Sequence, residues 1–167
     1  MSSFDRRRFL LAAVPAGALA LAGCGFTPVY GPQGGGRAIQ GAVRVDAPEG
    51  REGYLLTRTL EERLGRGGKS RYGLSHAVET RERGAAIATG NVTTRYTLLG
   101  EATYALRDLD DGRVLLSGKV DSFTSYSASG STVATTAARE DARERLMTIL
   151  ADQIVDRLLL AAPDLPE

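Results

Sequence analysis

From Thr136 to Ala162 no glycine or proline interrupts the chain, and Ala138, Ala142, Leu146, Ile149, Leu150, Ile154 and Leu158 recur along one stripe at helical spacing. Such a stripe predicts a long amphipathic helix whose apolar face must be buried against another element. Glu140 and Asp141 are expected in its first turns, where carboxylates complement the helix dipole, and Asp141 is spaced to pair with Arg145. Pro163 is expected to end the helix.

The partner for that face is read upstream. Val43, Val45 and Ala47 alternate with Arg44 and Asp46, a period of two that predicts a half-buried strand ending at Pro48. Between Arg51 and Arg66, Leu56, Leu60 and Leu64 recur every four residues with Tyr54 and Leu55 beside them, and Arg58, Glu61, Glu62 and Arg63 face outward. This second helix is stopped by the glycines at 65, 67 and 68. Tyr72, Leu74, His76 and Val78 share one face of a second strand, and a run from Ile87 to Leu106 groups Val92, Tyr96, Leu98, Ala102 and Tyr104 in a third. Arg81, Glu82 and Arg83 read as a solvated loop between them. Asp110-Asp111-Gly112 supplies a tight hairpin, beyond which Val114, Leu116 and Val120 continue the buried face in a fourth strand. Ser125 to Ser131, small and polar, reads as a mobile loop. The order β-α-β-β-β-α predicts an α+β two-layer sandwich over residues 41–162, with two helices packed on one face of a four-stranded mixed sheet and a short tail at 163–167. A length of 167 residues, 43% hydrophobic and 25% charged, suits one such domain.

The amino-terminal segment does not belong to this body. Arg6, Arg7 and Arg8 precede an apolar run from Phe9 to Ala22 broken by Pro15 and Gly17. That run is too short to cross a hydrocarbon core of about 30 Å as a helix and suits a signal peptide over residues 1–23. The arginines fit either twin-arginine or general secretory export. Leu21-Ala22-Gly23-Cys24 resembles the bacterial lipobox, in which the cysteine becomes residue one and carries a diacylglycerol. Several acyl chains at roughly 0.8 kcal/mol per CH₂ give stable anchoring. Cys24 is the only cysteine, so no intrachain disulfide is available. Gly25 follows it where an aspartate would resemble an inner-membrane retention signal, so outer-membrane sorting is expected. Residues 24–40, dense in Gly and Pro between Thr27 and Gly36, read as a tether. Loss of Arg6, Arg7, Arg8 and Asp5 from 21 basic and 20 acidic residues leaves 18 and 19. A near-neutral balance offers no basic field for nucleic acid.

Catalytic groups are scarce. His76 is the only histidine, and on a strand's apolar alternation it reads as a half-buried structural residue; a serine hydrolase would have to use it. Asp110 and Asp111 are explained by turn chemistry rather than metal binding, and the glycines at 34–36 lack the strand and helix that a phosphate loop needs. No catalytic residue, metal site or cofactor is expected beyond the covalent lipid on Cys24. One further surface stands out: Arg95, Thr97, Glu101 and Thr103 on the third strand and Ser117, Lys119 and Asp121 on the fourth form a polar outer face. Either water wets that face, as antiparallel sheets allow, or it sits against the wet interior of a larger protein, with Arg95 and Lys119 available to lipid phosphates.

Three stretches resemble the LptE family, the lipoprotein partners of the outer-membrane barrel that delivers lipopolysaccharide. Cys24-Gly25-Phe26-Thr27-Pro28-Val29-Tyr30-Gly31 resembles the start that follows the lipobox in members of alphaproteobacterial type. Thr94-Arg95-Tyr96 and Gly112-Arg113-Val114-Leu115-Leu116-Ser117-Gly118 resemble the central hairpin, and Ala138 to Arg145 running on to Ala151-Asp152-Gln153-Ile154 resembles the final helix. The resemblance implies a non-enzymatic domain that plugs an LptD-like barrel, helps it assemble and contacts lipopolysaccharide. A lipid-anchored periplasmic ligand-binding or scaffolding protein unrelated to lipopolysaccharide is the competing class.

Overall fold

Among the described residues eight segments follow in order: α1 (Gly36–Ile39), β1 (Val43–Val45), α2 (Gly50–Leu64), β2 (Tyr72–Ala88), β3 (Val92–Asp108), β4 (Val114–Ser127), α3 (Thr132–Ala161) and a 3₁₀ turn (Ala162–Asp164). The computed structural model describes Gly31 and residues 36–66, 68, 70–88 and 92–166. The expected signal peptide, Cys24 and most of the expected tether lie outside the described residues. The sheet runs β1-β2-β3-β4, with β1 parallel to β2 through Val43↔Tyr72 and the remaining pairs antiparallel. This is the mixed four-stranded α+β architecture read from the sequence, completed by a helical turn, α1, whose Ile39 is 0% exposed. Packing thus starts a few residues before the boundary set at residue 41.

Alternation fixes which face is covered. Leu74 of β2, Leu98, Ala102 and Leu106 of β3 and Val120 of β4 are buried under Leu56, Leu60 and Leu64 of α2 and Leu146, Leu150, Ile154 and Leu158 of α3. Met147, Ala151 and Val155 are buried too, while Ile149, assigned to the stripe, is 37% exposed. The buried arc is displaced because α3 packs against α2 as well as the sheet. Close approach depends on a glycine: a Cβ on Gly100 would stand 2.9 Å from Leu146 Cδ2 and 3.1 Å from Leu150 Cδ1.

Caps and turns follow local chemistry. Ser131 Oγ accepts from the Ala134 N–H at 3.2 Å and starts α3 a turn earlier than Thr136. Glu140 and Asp141 therefore lie beyond the first turn: Glu140 contacts Arg51 at 2.7 Å and Arg143 at 2.8 Å, and Asp141 pairs with Arg145. Gly65, at φ 79°, closes α2. In the β3–β4 hairpin the Asp108 carboxylate accepts from the Asp110 N–H at 2.8 Å, and Gly112 takes φ 76°.

Three boundaries and the burial of one residue differ from expectation. Arg81, Glu82 and Arg83 are strand, not loop: they pair with Leu99, Leu98 and Thr97. Ile87 and Ala88 end β2 rather than beginning β3: they pair with Thr93 and Val92 of β3. Ser125 to Ser127 continue β4 opposite Thr97, Tyr96 and Arg95, held by the stack of Tyr126 on Tyr96 at 5.4 Å and a 3.2 Å Thr97–Ser125 hydroxyl contact. Val114 is 57% exposed instead of buried. The pairing jumps from Leu106↔Leu116 to Arg107↔Val114, so Leu115 is a bulge residue that turns Val114 off the inner face.

Candidate functional site

Because α2 and α3 occupy the inner face, the odd-numbered residues of β3 and of β4 from Ser117 onward stand on a sheet face that no described element covers. Cross-strand rows there run Arg83–Thr97–Ser125, Arg81–Leu99–Phe123, Glu79–Glu101–Asp121 and Ala77–Thr103–Lys119. Contrary to the expectation of a continuously polar face, Phe123 is 67% exposed on it and stands beside Leu99. An aromatic flanked by charged rows has the make-up of a protein contact surface, with an apolar anchor inside a polar rim. Two signals in the sequence mark the anchor: Leu98 and Leu99 are adjacent, so a strand must turn one outward, and Phe123 shares parity with Lys119 and Asp121. A shallow depression lined by Glu79, Arg81, Leu99, Glu101 and Asp121 lies alongside.

Charge is distributed unevenly along the strands. The Lys119 ammonium lies 3.0 Å from Glu101, which holds its pKa above the ordinary lysine value, with Asp121 and Glu79 adding to the effect. Arg81 is 3.4 Å from Glu79. Glu82 turns inward and accepts from Arg139 at 3.2 Å, while Arg139 Nε donates to Tyr126 Oη at 2.9 Å. Arg95 is exposed and has no ion pair among the described residues. Arg95 and Lys119 share the face but are not brought together: Lys119 is opposite Thr103, eight residues from Arg95, roughly 27 Å along a strand.

His76 lies on the inner face, where its Nε2 is 2.8 Å from Thr57 Oγ1 of α2. Burial lowers its pKa from 6.5, opposed by the negative charge of Asp46. The ring thus serves the packing of α2 on β2. Asp108 and Asp111 direct their carboxylates to backbone N–H groups of the hairpin turn. Among the described residues, no group of three or more His, Cys, Asp or Glu side chains is arranged to hold a metal, and no helix is long and apolar enough to cross a membrane.

The family model for LptE, described as lipopolysaccharide-assembly, matches residues 40–158. A chain described as a lipoprotein from Caulobacter crescentus CB15 is 26% identical, with 77% of this chain and 96% of that chain covered at a TM-score of 0.65. The rare lipoprotein B of Shewanella oneidensis is 14% identical over 74% of this chain and 96% of its own, with a TM-score of 0.58. Lipoprotein B of Nitrosomonas europaea is 17% identical over 73% and 83%, with a TM-score of 0.53. The last two show the shared fold. No curated protein matches.

Proposed function

The chain belongs to the LptE family of lipopolysaccharide-assembly proteins, and from that premise we propose that it is an outer-membrane lipoprotein that assembles with the lipopolysaccharide-translocating β-barrel and plugs its lumen. In this reading residues 1–23 are removed, Cys24 carries the lipid, residues from 24 to the start of α1 act as the tether, and the packed domain stands on the periplasmic side or inside the barrel. The chain supplies no enzymatic step; its partners are the barrel, lipopolysaccharide and, through the acyl chains, the membrane.

The observation that carries the reading is the uncovered sheet face, with Phe123 67% exposed on its edge strand. A barrel interior is lined by side chains that alternate with lipid-facing ones and are largely polar. The rows around Phe123 present hydroxyls, carboxylates and guanidinium groups to such a wall. Arg95, free of an ion pair among the described residues, offers a fork of donors to a lipid phosphate. Lys119 reaches the same chemistry only by sharing its ammonium with Glu101.

The test is recovery of the tagged, acylated protein from outer membranes in mild detergent, with mass spectrometry of what remains bound. A large β-barrel protein is expected in about equal amount. Its reproducible absence rejects the plug.

A further inference from the structure

β4 is an edge strand. It pairs with β3 alone among the described residues, and along its length from Ser117 to Ser127 the register is unbroken. Two hydrogen bonds give the direction of its amides. The Ala128 N–H donates to Thr94 O of β3 at 2.9 Å, while Ser125 O, the carbonyl of an odd residue, accepts from Arg145 of α3 at 3.4 Å. Even residues therefore turn their backbone groups toward β3, and odd ones from 117 onward turn theirs toward the open edge. An unpaired edge of this length is a template for another strand unless its side chains oppose it.

The side chains select the strand that fits. Lys119 and Asp121 are the only charged residues of β4, and they sit on either side of Val120. A second β4 laid antiparallel about a two-fold axis through Val120 puts each Lys119 directly opposite the other copy's Asp121, twice. Centring the axis on Lys119 or on Asp121 instead sets like charges against each other. Lys119 and Asp121 are both odd, so the matching register also aligns the outward N–H and C=O groups of the two strands. An axis perpendicular to the sheet keeps the helices of both copies on one side, beside Asp156 and Arg157 of α3, which line the groove along this edge with Lys119 and Asp121. Such a patch is self-complementary, as an isologous interface must be.

We infer that the β4 edge is a self-association site, pairing with β4 of a second copy antiparallel about Val120 into a continuous eight-stranded sheet. The Lys119 ammonium has three donors, so it bridges Glu101 of its own chain and Asp121 of the other. The inference concerns the acylated chain outside a barrel, and its test contains no barrel.

The experiment is sedimentation velocity on the full acylated chain in density-matched detergent, with Lys119→Asp and Asp121→Lys measured separately and then mixed. Each reversal alone places like charges at both sites and is expected to weaken the dimer by at least about tenfold. The mixture restores both opposite-charge pairs and is expected to form a heterodimer about as readily as the unaltered chain. Circular dichroism on each variant establishes that it is folded. A monomeric unaltered chain overturns the inference, as does a dimer that survives both reversals or a mixture that stays monomeric.

Discussion

Gly100 is where α3 rests on β3, and the effect of adding one methyl group there follows from the geometry. The Cβ of Gly100→Ala would stand 2.9 Å from Leu146 Cδ2, 3.1 Å from Leu146 Cγ and 3.1 Å from Leu150 Cδ1, and both leucines are 0% exposed. Overfilling a packed core costs about 1–3 kcal/mol. Against this, replacing a strand glycine reduces the entropy lost on folding and returns roughly 0.5–1 kcal/mol. The net expectation is a loss of about 1–2 kcal/mol. In an equilibrium urea titration this lowers the midpoint by on the order of 1 M with the slope unchanged. The decisive measurement is the pair with Leu146→Ala. Alone that change costs about 2–5 kcal/mol; beside Gly100→Ala it should cost less, because the new methyl occupies part of the vacated space, with a coupling of about 0.5–1 kcal/mol. A neutral or stabilising Gly100→Ala, or two costs that simply add, refutes the close-approach reasoning.

Two further outcomes follow from side chains on opposite faces of the sheet. The unfolded chain protonates His76 as pH falls through 6.5, whereas burial lowers the folded value; its contribution to stability is therefore full above 6.5 and is lost as pH falls from there through the folded pKa. His76→Gln should flatten the pH dependence of the urea midpoint between about pH 7 and about pH 5, and an unaltered dependence rejects the assignment. Phe123→Ser, at a side chain 67% exposed, is expected to change stability by no more than about 0.5 kcal/mol while cutting recovery of the barrel partner several-fold, and Arg95→Glu should do the same. Full recovery with both variants would show that another face meets the barrel.

The elements whose period repeats over several turns were legible from the residues alone. The Leu56-Leu60-Leu64 repeat and the Leu146 to Leu158 stripe became α2 and α3, and Asp110-Asp111-Gly112 became the hairpin turn. The stretches that depart from the local pattern share a physical cause. Arg81–Arg83 and Ser125–Ser127 lie near the ends of strands that continue beyond the densest packing, where polar residues are tolerated and composition resembles that of a loop. Their strand character is carried by backbone pairing with Thr97, Leu98 and Leu99, or with Arg95, Tyr96 and Thr97, which no local window contains. Val114 departs from the pattern for a different reason: the bulge at Leu115 breaks an alternation that parity alone continues. On the outer face, parity correctly grouped Arg95, Thr97, Glu101, Lys119 and Asp121. The same parity includes Leu99 and Phe123, so alternation alone already places two apolar side chains among them.

β2 and β3 are 17 residues each, about 56 Å at strand rise, whereas α2 has 15 residues, about 22 Å at helical rise. The shorter helix covers only the portion of the inner face nearest β1, and further along the ribbon α3 stands over it alone, joined there by polar links such as Arg139 to Glu82 and Tyr126. Resistance to opening should therefore grade along the ribbon. Amide exchange would begin near Gly84 on β2 and Arg95 on β3 and reach Leu74 and Leu106 only with global unfolding. The ends of β2 and β3 near Gly84 and Arg95 are accordingly where the ribbon can be lengthened or shortened with little disturbance to the leucine core. That freedom lets its reach be adjusted without redesigning the support.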